Sequence, residues 1–172
     1  MVNESKTEAS GKSGSYETLS IFAWIAVATL FLNVSFVVGG EVGGEFYRSG
    51  ADLGAILRSF SIGMLKAGPT IFIALALIDF AFFFSRCGKG DIFTRKNLKT
   101  LRDGADSLIW AAVTSAIVIP TVLGFAGIED GYRILRFTDL ALGVGLMGIA
   151  LHGLSSVFSD AVALKDDNDQ FV

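Results

Sequence analysis

The sequence predicts an all-α fold, a polytopic membrane protein of four transmembrane helices with a short amphipathic cytoplasmic helix. Three observations predict it. Only 18% of the 172 residues are charged while 52% are hydrophobic, where a soluble domain carries roughly 25% charged residues. The charge is missing in blocks, leaving four apolar segments that as helices approach the roughly 30 Å of a hydrocarbon core. Lys and Arg are also spread unevenly over the connections, as the positive-inside rule describes.

Residues 1–19, "MVNESKTEASGKSGSYETL", are polar and without periodicity. They bury too little apolar area to offset chain entropy, so an unstructured cytoplasmic tail is expected. The stretch lacks the basic start and the cleavage site of a signal peptide, so it is expected to be retained. The first span covers residues 20–38, uncharged from Ser20 to Val38. "GGEVGGE", Gly39 to Glu45, follows as an expected flexible turn. Upstream of the second span, Leu53, Ile56, Leu57, Phe60 and Met64 recur at helical spacing, which predicts a short outer helix over 51–60. The span itself covers 61–85; Lys66 snorkels to the outer interface and Gly68-Pro69 marks a kink. The third span, 107–126, contains Pro120, and the fourth covers 140–160. Residues 20–164 thus form the transmembrane domain, and 165–172 an acidic cytoplasmic tail.

Lys6, Lys12, Arg86, Lys89, Arg95, Lys96, Lys99, Arg102 and Lys165 share one side; Arg48, Arg58, Lys66, Arg133 and Arg136 share the other. Nine against five places both termini and the middle connection in the cytoplasm.

That connection, "GKGDIFTRKNLKTLRDG" from Gly88 to Gly104, is the most basic part of an acidic chain. Thr94 is placed to cap a helix, and Phe93 with Leu98 has the spacing of a hydrophobic staple. Leu98, Leu101, Ala105 and Leu108 fall on one face, with Arg95, Lys99 and Arg102 on another. An amphipathic helix over 94–105 is therefore expected to run into the third span, its basic face toward phosphate headgroups. Two roles fit Lys89, Arg95, Lys96, Lys99 and Arg102: anchoring to lipid headgroups, or docking a cytoplasmic partner. Direct nucleic-acid binding is not expected from a net charge of −3 and a single aromatic in the stretch.

"GDIFTRKNLKTLRDGA" after one span and "LSSVFSDAVALKDDNDQFV" after another resemble the bacterial membrane family labelled domain of unknown function 2975. The family's first motif falls on Ile92, Phe93, Thr94, Asn97 and Leu101. Its closing motif falls on Phe158, Leu164, Asp167, Asp169 and Val172, with departures at Ala161 or Val162, Asp167, Gln170 and Phe171. The resemblance implies the bacterial inner membrane and a cytoplasmic partner such as a small helix-turn-helix transcription regulator.

Ionisable side chains inside a span are costly and face a partner or water. Asp79 lies seven residues before Arg86, about 10 Å below the cytoplasmic boundary, and His152 lies about 12 Å below it, eight residues before Asp160. Equal depth suggests that they pair, either as a structural staple or as a proton relay. On the fourth span Ala141, Gly145, Gly148, His152, Ser155 and Ser159 form a small or polar stripe, suited to close helix packing or a homodimer face. Thr29 and Asn33, four apart, are expected to face the bundle.

No catalytic, cofactor-binding or metal residues are predicted. Cys87 and His152 are the only residues of their kinds, which excludes an intramolecular disulfide and a His/Cys metal cluster. The chain has no nucleophile elbow and no phosphate loop. The expectation is a non-enzymatic regulatory membrane protein. The alternatives are a small transporter or channel using Asp79 and His152, or an accessory subunit of a larger complex. A homo-oligomer is compatible with each.

Overall fold

The computed structural model describes residues 2–49, 52–89, 94–128 and 138–169, with side chains described over 14–49, 52–89, 94–128 and 138–164. The helices are α1 (Val2–Ser49), α2 (Leu53–Gly88), α3 (Arg95–Val113), α4 (Ile119–Phe125) and α5 (Asp139–Asp169), with a π-helical turn over Thr114–Val118 joining α3 to α4. Four continuous helical units are long and apolar enough to cross a membrane: Gly14–Ser49, Leu53–Gly88, Arg95–Phe125 and Asp139–Leu164. Among the described residues there is no strand.

Lipid explains the surface. Ile21, Phe22, Ile25 and Phe36 on α1 and Leu146, Met147 and Ile149 on α5 are all exposed, Phe36 to 78%. In water so extensive an apolar surface would drive association; in a bilayer it meets acyl chains. The interior is built from small side chains. Ala67, Ala76, Ala81, Ala105 and Ala111 are at most 1% exposed, because helices in lipid gain by close backbone approach rather than by hiding large apolar groups from water.

The extensive packing runs in series: α1 on α2, α2 on α3, and α3 on α5. Close approach needs glycine at particular points. A Cβ on Gly63 would stand 3.0 Å from Val38 Cα, one on Gly104 2.8 Å from the Phe80 ring, and one on Gly145 3.0 Å from Ala112 Cβ. Between α1 and α2, Ser20 donates to the Ala81 carbonyl at 3.2 Å, and Trp24 meets Phe82 edge to face at 5.7 Å.

The helices outrun the expected spans. α1 continues through Gly39 to Glu45, where a flexible turn was expected, and on to Ser49. The outer helix expected over 51–60 is the start of α2, capped by Asp52, whose carboxylate accepts from Gly54 N at 3.2 Å. The α1–α2 packing explains both, since Gly63 sits against Val38 and Lys66 reaches Glu41 at 2.6 Å. Lys66 is thus ion-paired across the helix pair rather than extended alone to the interface. From Lys66 to Arg86 the helix rises about 30 Å, one hydrocarbon thickness. The part of α2 before Lys66 adds about 20 Å of helix beside the end of α1.

At the other end helix extends back to Val2, where an unstructured tail was expected. Adding residues to an existing helix avoids the cost of nucleation. Likewise α5 continues to Asp169, and the side chains of Asp166 to Asp169 lie outside the described ones. Residues 94–105 are not a separate short helix but the first three turns of the third span. Around Gly68-Pro69 the helix is continuous. Pro120 follows the π turn: it has no N–H to bond residue 116, and Ile119 N before it donates five residues back to Thr114 O. Gly127 ends α4 at φ 64°, a left-handed cap in which Ile128 N donates to Leu123 O at 3.1 Å.

Candidate functional site

The α2–α3 turn gathers most of the polar chemistry. Thr94 caps α3, its hydroxyl accepting from Asn97 N at 3.2 Å. Asn97 is fully buried, and its side-chain amide donates to Cys87 Sγ at 3.3 Å. Arg86 donates to Thr100 Oγ1 at 2.8 Å. Leu101, one turn on, is buried at 5% exposure. Three helical registers are thus tied across the turn by Cys87–Asn97, Arg86–Thr100 and the packing of Leu101. Phe93, the outer member of the expected staple, and Ile92 lie outside the described residues.

These bonds aim the cations. With the buried face of α3 set by Asn97, Leu101, Ala105 and Leu108, Arg95, Lys96, Lys99 and Arg102 lie off that face and are exposed, and Lys89 at the end of α2 is exposed as well. The amphipathic division read from the sequence is present, although in a longer helix than expected.

The expected Asp79–His152 pair does not form. His152 Nδ1 lies 2.9 Å from Asp106 Oδ1, so the histidine is held by α3. Equal depth was the wrong criterion because α5 packs on α3 rather than on α2. Asp106 stands one residue before the expected start of the third span, which kept it out of consideration. An i, i+4 reading of α3 would have found it: Arg102 and Asp106 share a face, and that face meets the α5 stripe.

The stripe itself is a packing surface within the chain. A Cβ on Gly148 would come 2.9 Å from Ile109 Cγ1 and 3.0 Å from both Ala105 O and Ile109 N. Ser155, 4% exposed, donates to His152 O at 2.7 Å. At Gly145 and Gly148 this face is therefore taken up by α3. Thr29 and Asn33 are exposed rather than turned to the bundle. Thr29 satisfies its hydroxyl on Ile25 O at 3.0 Å, whereas Asn33 makes no hydrogen bond among the described residues.

Among the described residues no three His, Cys, Asp or Glu side chains converge as metal ligands. A family model described as a protein of unknown function (DUF2975) matches residues 60–172. The match begins within α2 and takes in α3, α4 and α5 but not α1. No curated protein and no solved structure matches the chain.

Proposed function

The chain belongs to the DUF2975 family, whose description assigns no activity, and on its geometry we propose a non-enzymatic, regulatory role: docking a cytoplasmic protein on the basic end. The observation that carries this reading is the exposed set Lys89, Arg95, Lys96, Lys99 and Arg102 around a cross-braced turn. Cations on a fixed helical lattice offer a defined pattern to an acidic surface, which a mobile basic loop does not. The partner class implied by the family resemblance is a small helix-turn-helix regulator, held by an acidic face of the regulator. In this reading both termini and the α2–α3 turn face the cytoplasm of a bacterial inner membrane.

The experiment is capture by the full chain in mild detergent, followed by titration of the identified, purified partner. Changing Arg95, Lys96, Lys99 and Arg102 together to Gln is expected to weaken binding at least about ten-fold, since each cation contributes to a complementary field. Membrane insertion should be unaffected. Undiminished binding by the inserted variant defeats the assignment.

A second reading, an accessory subunit or homo-oligomer, is favoured by Asn33. Its amide is exposed within an apolar span without a partner among the described residues, and hydrocarbon provides no hydrogen bond to replace one. The transport alternative, using Asp79 and His152, would act through a histidine held by Asp106 rather than by Asp79.

A further inference from the structure

A cleft of about 300 Å³ opens between α3 and α5 beside the basic turn. Arg95, Lys99 and Arg102 line one wall; His152, Ser155, Ser156 and Ser159 line the other. Among the described residues no carboxylate lines it. Lys99 and Arg102 form no ion pair among the described residues. The hydroxyls facing them are equally uncommitted. Thr29, Ser35 and Ser61 each donate to the carbonyl four residues back, but Ser156 and Ser159 have no partner among the described residues. Asp106 grips His152 through Nδ1, which fixes the ring at the cleft wall.

We propose that this cleft binds the phosphate of one anionic phospholipid, with Lys99 and Arg102 contacting the phosphate and the Ser156 and Ser159 hydroxyls donating to its oxygens. An arginine fork and a lysine opposite hydroxyl donors suit a tetrahedral oxyanion, and basic pockets between transmembrane helices receive headgroups of this class. The depth also matches. Thr100, which receives the Arg86 bond, lies between Lys99 and Arg102, while Ser159 adjoins Asp160 at the charged end of the α5 span. Both walls thus sit at the boundary where headgroup phosphates lie.

What lies deeper favours a lipid over free phosphate. Ile149 is seven residues before Ser156, and Trp110 is eleven after Lys99. Each spacing returns to the same face of its helix. Both side chains are exposed, at 61% and 56%, and Leu98 adds an apolar edge to the cleft. An acyl chain leaving the phosphate would run over these groups, whereas inorganic phosphate would not touch them.

The test is native mass spectrometry of the delipidated full-length protein, titrated with phosphatidylglycerol, with phosphatidylcholine, and with phosphatidylglycerol in the presence of excess inorganic phosphate. One phosphatidylglycerol per chain is expected, bound about ten-fold more tightly than phosphatidylcholine. Lys99→Gln and Arg102→Gln should each weaken it about five-fold, as expected of one cation at an anionic headgroup. The double variant Ser156→Ala, Ser159→Ala should weaken it several-fold with the net charge unchanged. Lys96→Gln, outside the cleft, should stay within about two-fold of wild type. Equal losses at Lys96 and Lys99 would reduce the effect to diffuse charge and overturn the proposal, as would indifference between the two lipids. Displacement by inorganic phosphate would assign the cleft to a soluble anion instead. The serine variants leave the outward cations intact, so loss of lipid binding is separable from loss of partner docking.

Discussion

Replacing Gly148 by Ala tests the α3–α5 interface at its tightest point. The new methyl would meet Ala105 O and Ile109 N at 3.0 Å and Ile109 Cγ1 at 2.9 Å. Two of these neighbours are backbone atoms within α3, so they cannot rotate away. Reaching the roughly 3.5–4.0 Å of an unstrained contact requires α5 to retreat by about half an ångström or more. Overpacking of this kind costs about 1–3 kcal/mol, set against a gain of up to about 1 kcal/mol from replacing glycine inside a helix. Gly143→Ala is the matched control, because a Cβ there meets nothing within 4 Å and the substitution carries only the propensity gain. The difference between the two variants therefore isolates packing, at roughly 1–3 kcal/mol. Equilibrium unfolding in mixed micelles of increasing sodium dodecyl sulfate fraction, followed by circular dichroism, measures it. Gly148→Ala should unfold at a lower fraction than wild type and Gly143→Ala at an equal or higher one. Coincident curves for the two variants would show that α5 does not pack on α3 through Gly148. The retreat would also act at His152, one turn further along the same face, and should lengthen its 2.9 Å contact to Asp106.

A double-mutant cycle by the same unfolding assay should give Asp106→Asn and His152→Ala a coupling of about 0.6 kcal/mol, the average for interhelical hydrogen bonds in membranes. The two side chains are 47% and 39% exposed, which argues against a larger value. His152→Ala and Asp79→Asn should be additive; coupling there, and none to Asp106, would refute the assigned pairing. Asn97→Ala should cost about 1–3 kcal/mol, since it strips a fully buried amide from Cys87, whereas exposed Lys96→Ala should stay within about 0.5 kcal/mol of wild type. Equal small effects at the two positions would mean that the turn is not braced as described.

The four spans were legible because apolar blocks of this length have few alternatives. The capping role of Thr94 was legible because a cap is a local arrangement, decided within four residues. The same locality explains the outward cations, whose spacing from Leu101 and Ala105 fixes their face whatever α3 packs against. Helix ends were not legible. "GGEVGGE" carries the composition of a turn, yet its backbone is helical beside Gly63 and Lys66, because tertiary packing overrides propensity where Gly63 lets α2 approach Val38 and Glu41 closely. Pairing was not legible either. Depth along a span follows from counting residues, but azimuth and neighbour order do not. His152 therefore went to Asp106 on the adjacent α3, and Asp79 on α2 did not meet it. Asn33 shows the same gap: the spacing from Thr29 gave a shared face, and nothing in α1 alone said whether that face was inside.

Thr94, Asn97 and Leu101, three of the residues on which the family resemblance rests, have structural work that accounts for their spacing. Thr94 closes the first turn of α3 by accepting from Asn97 N. Three residues on, Asn97 points its amide back to Cys87 near the end of α2. Leu101, four further, returns to the same face and is buried. These side chains fix the rotation of α3 about its own axis at the membrane boundary. That rotation decides two things at once: Lys96 faces outward from the turn, and Lys99 and Arg102 face the serines of α5 across the cleft. A helix offers only about 100° between successive residues, so a slip of one position would carry Arg102 away from α5 and bring Asp103 toward it, replacing a cation by an anion opposite Ser156 and Ser159. The motif can therefore be indispensable to a binding surface without any of these three side chains contacting what is bound.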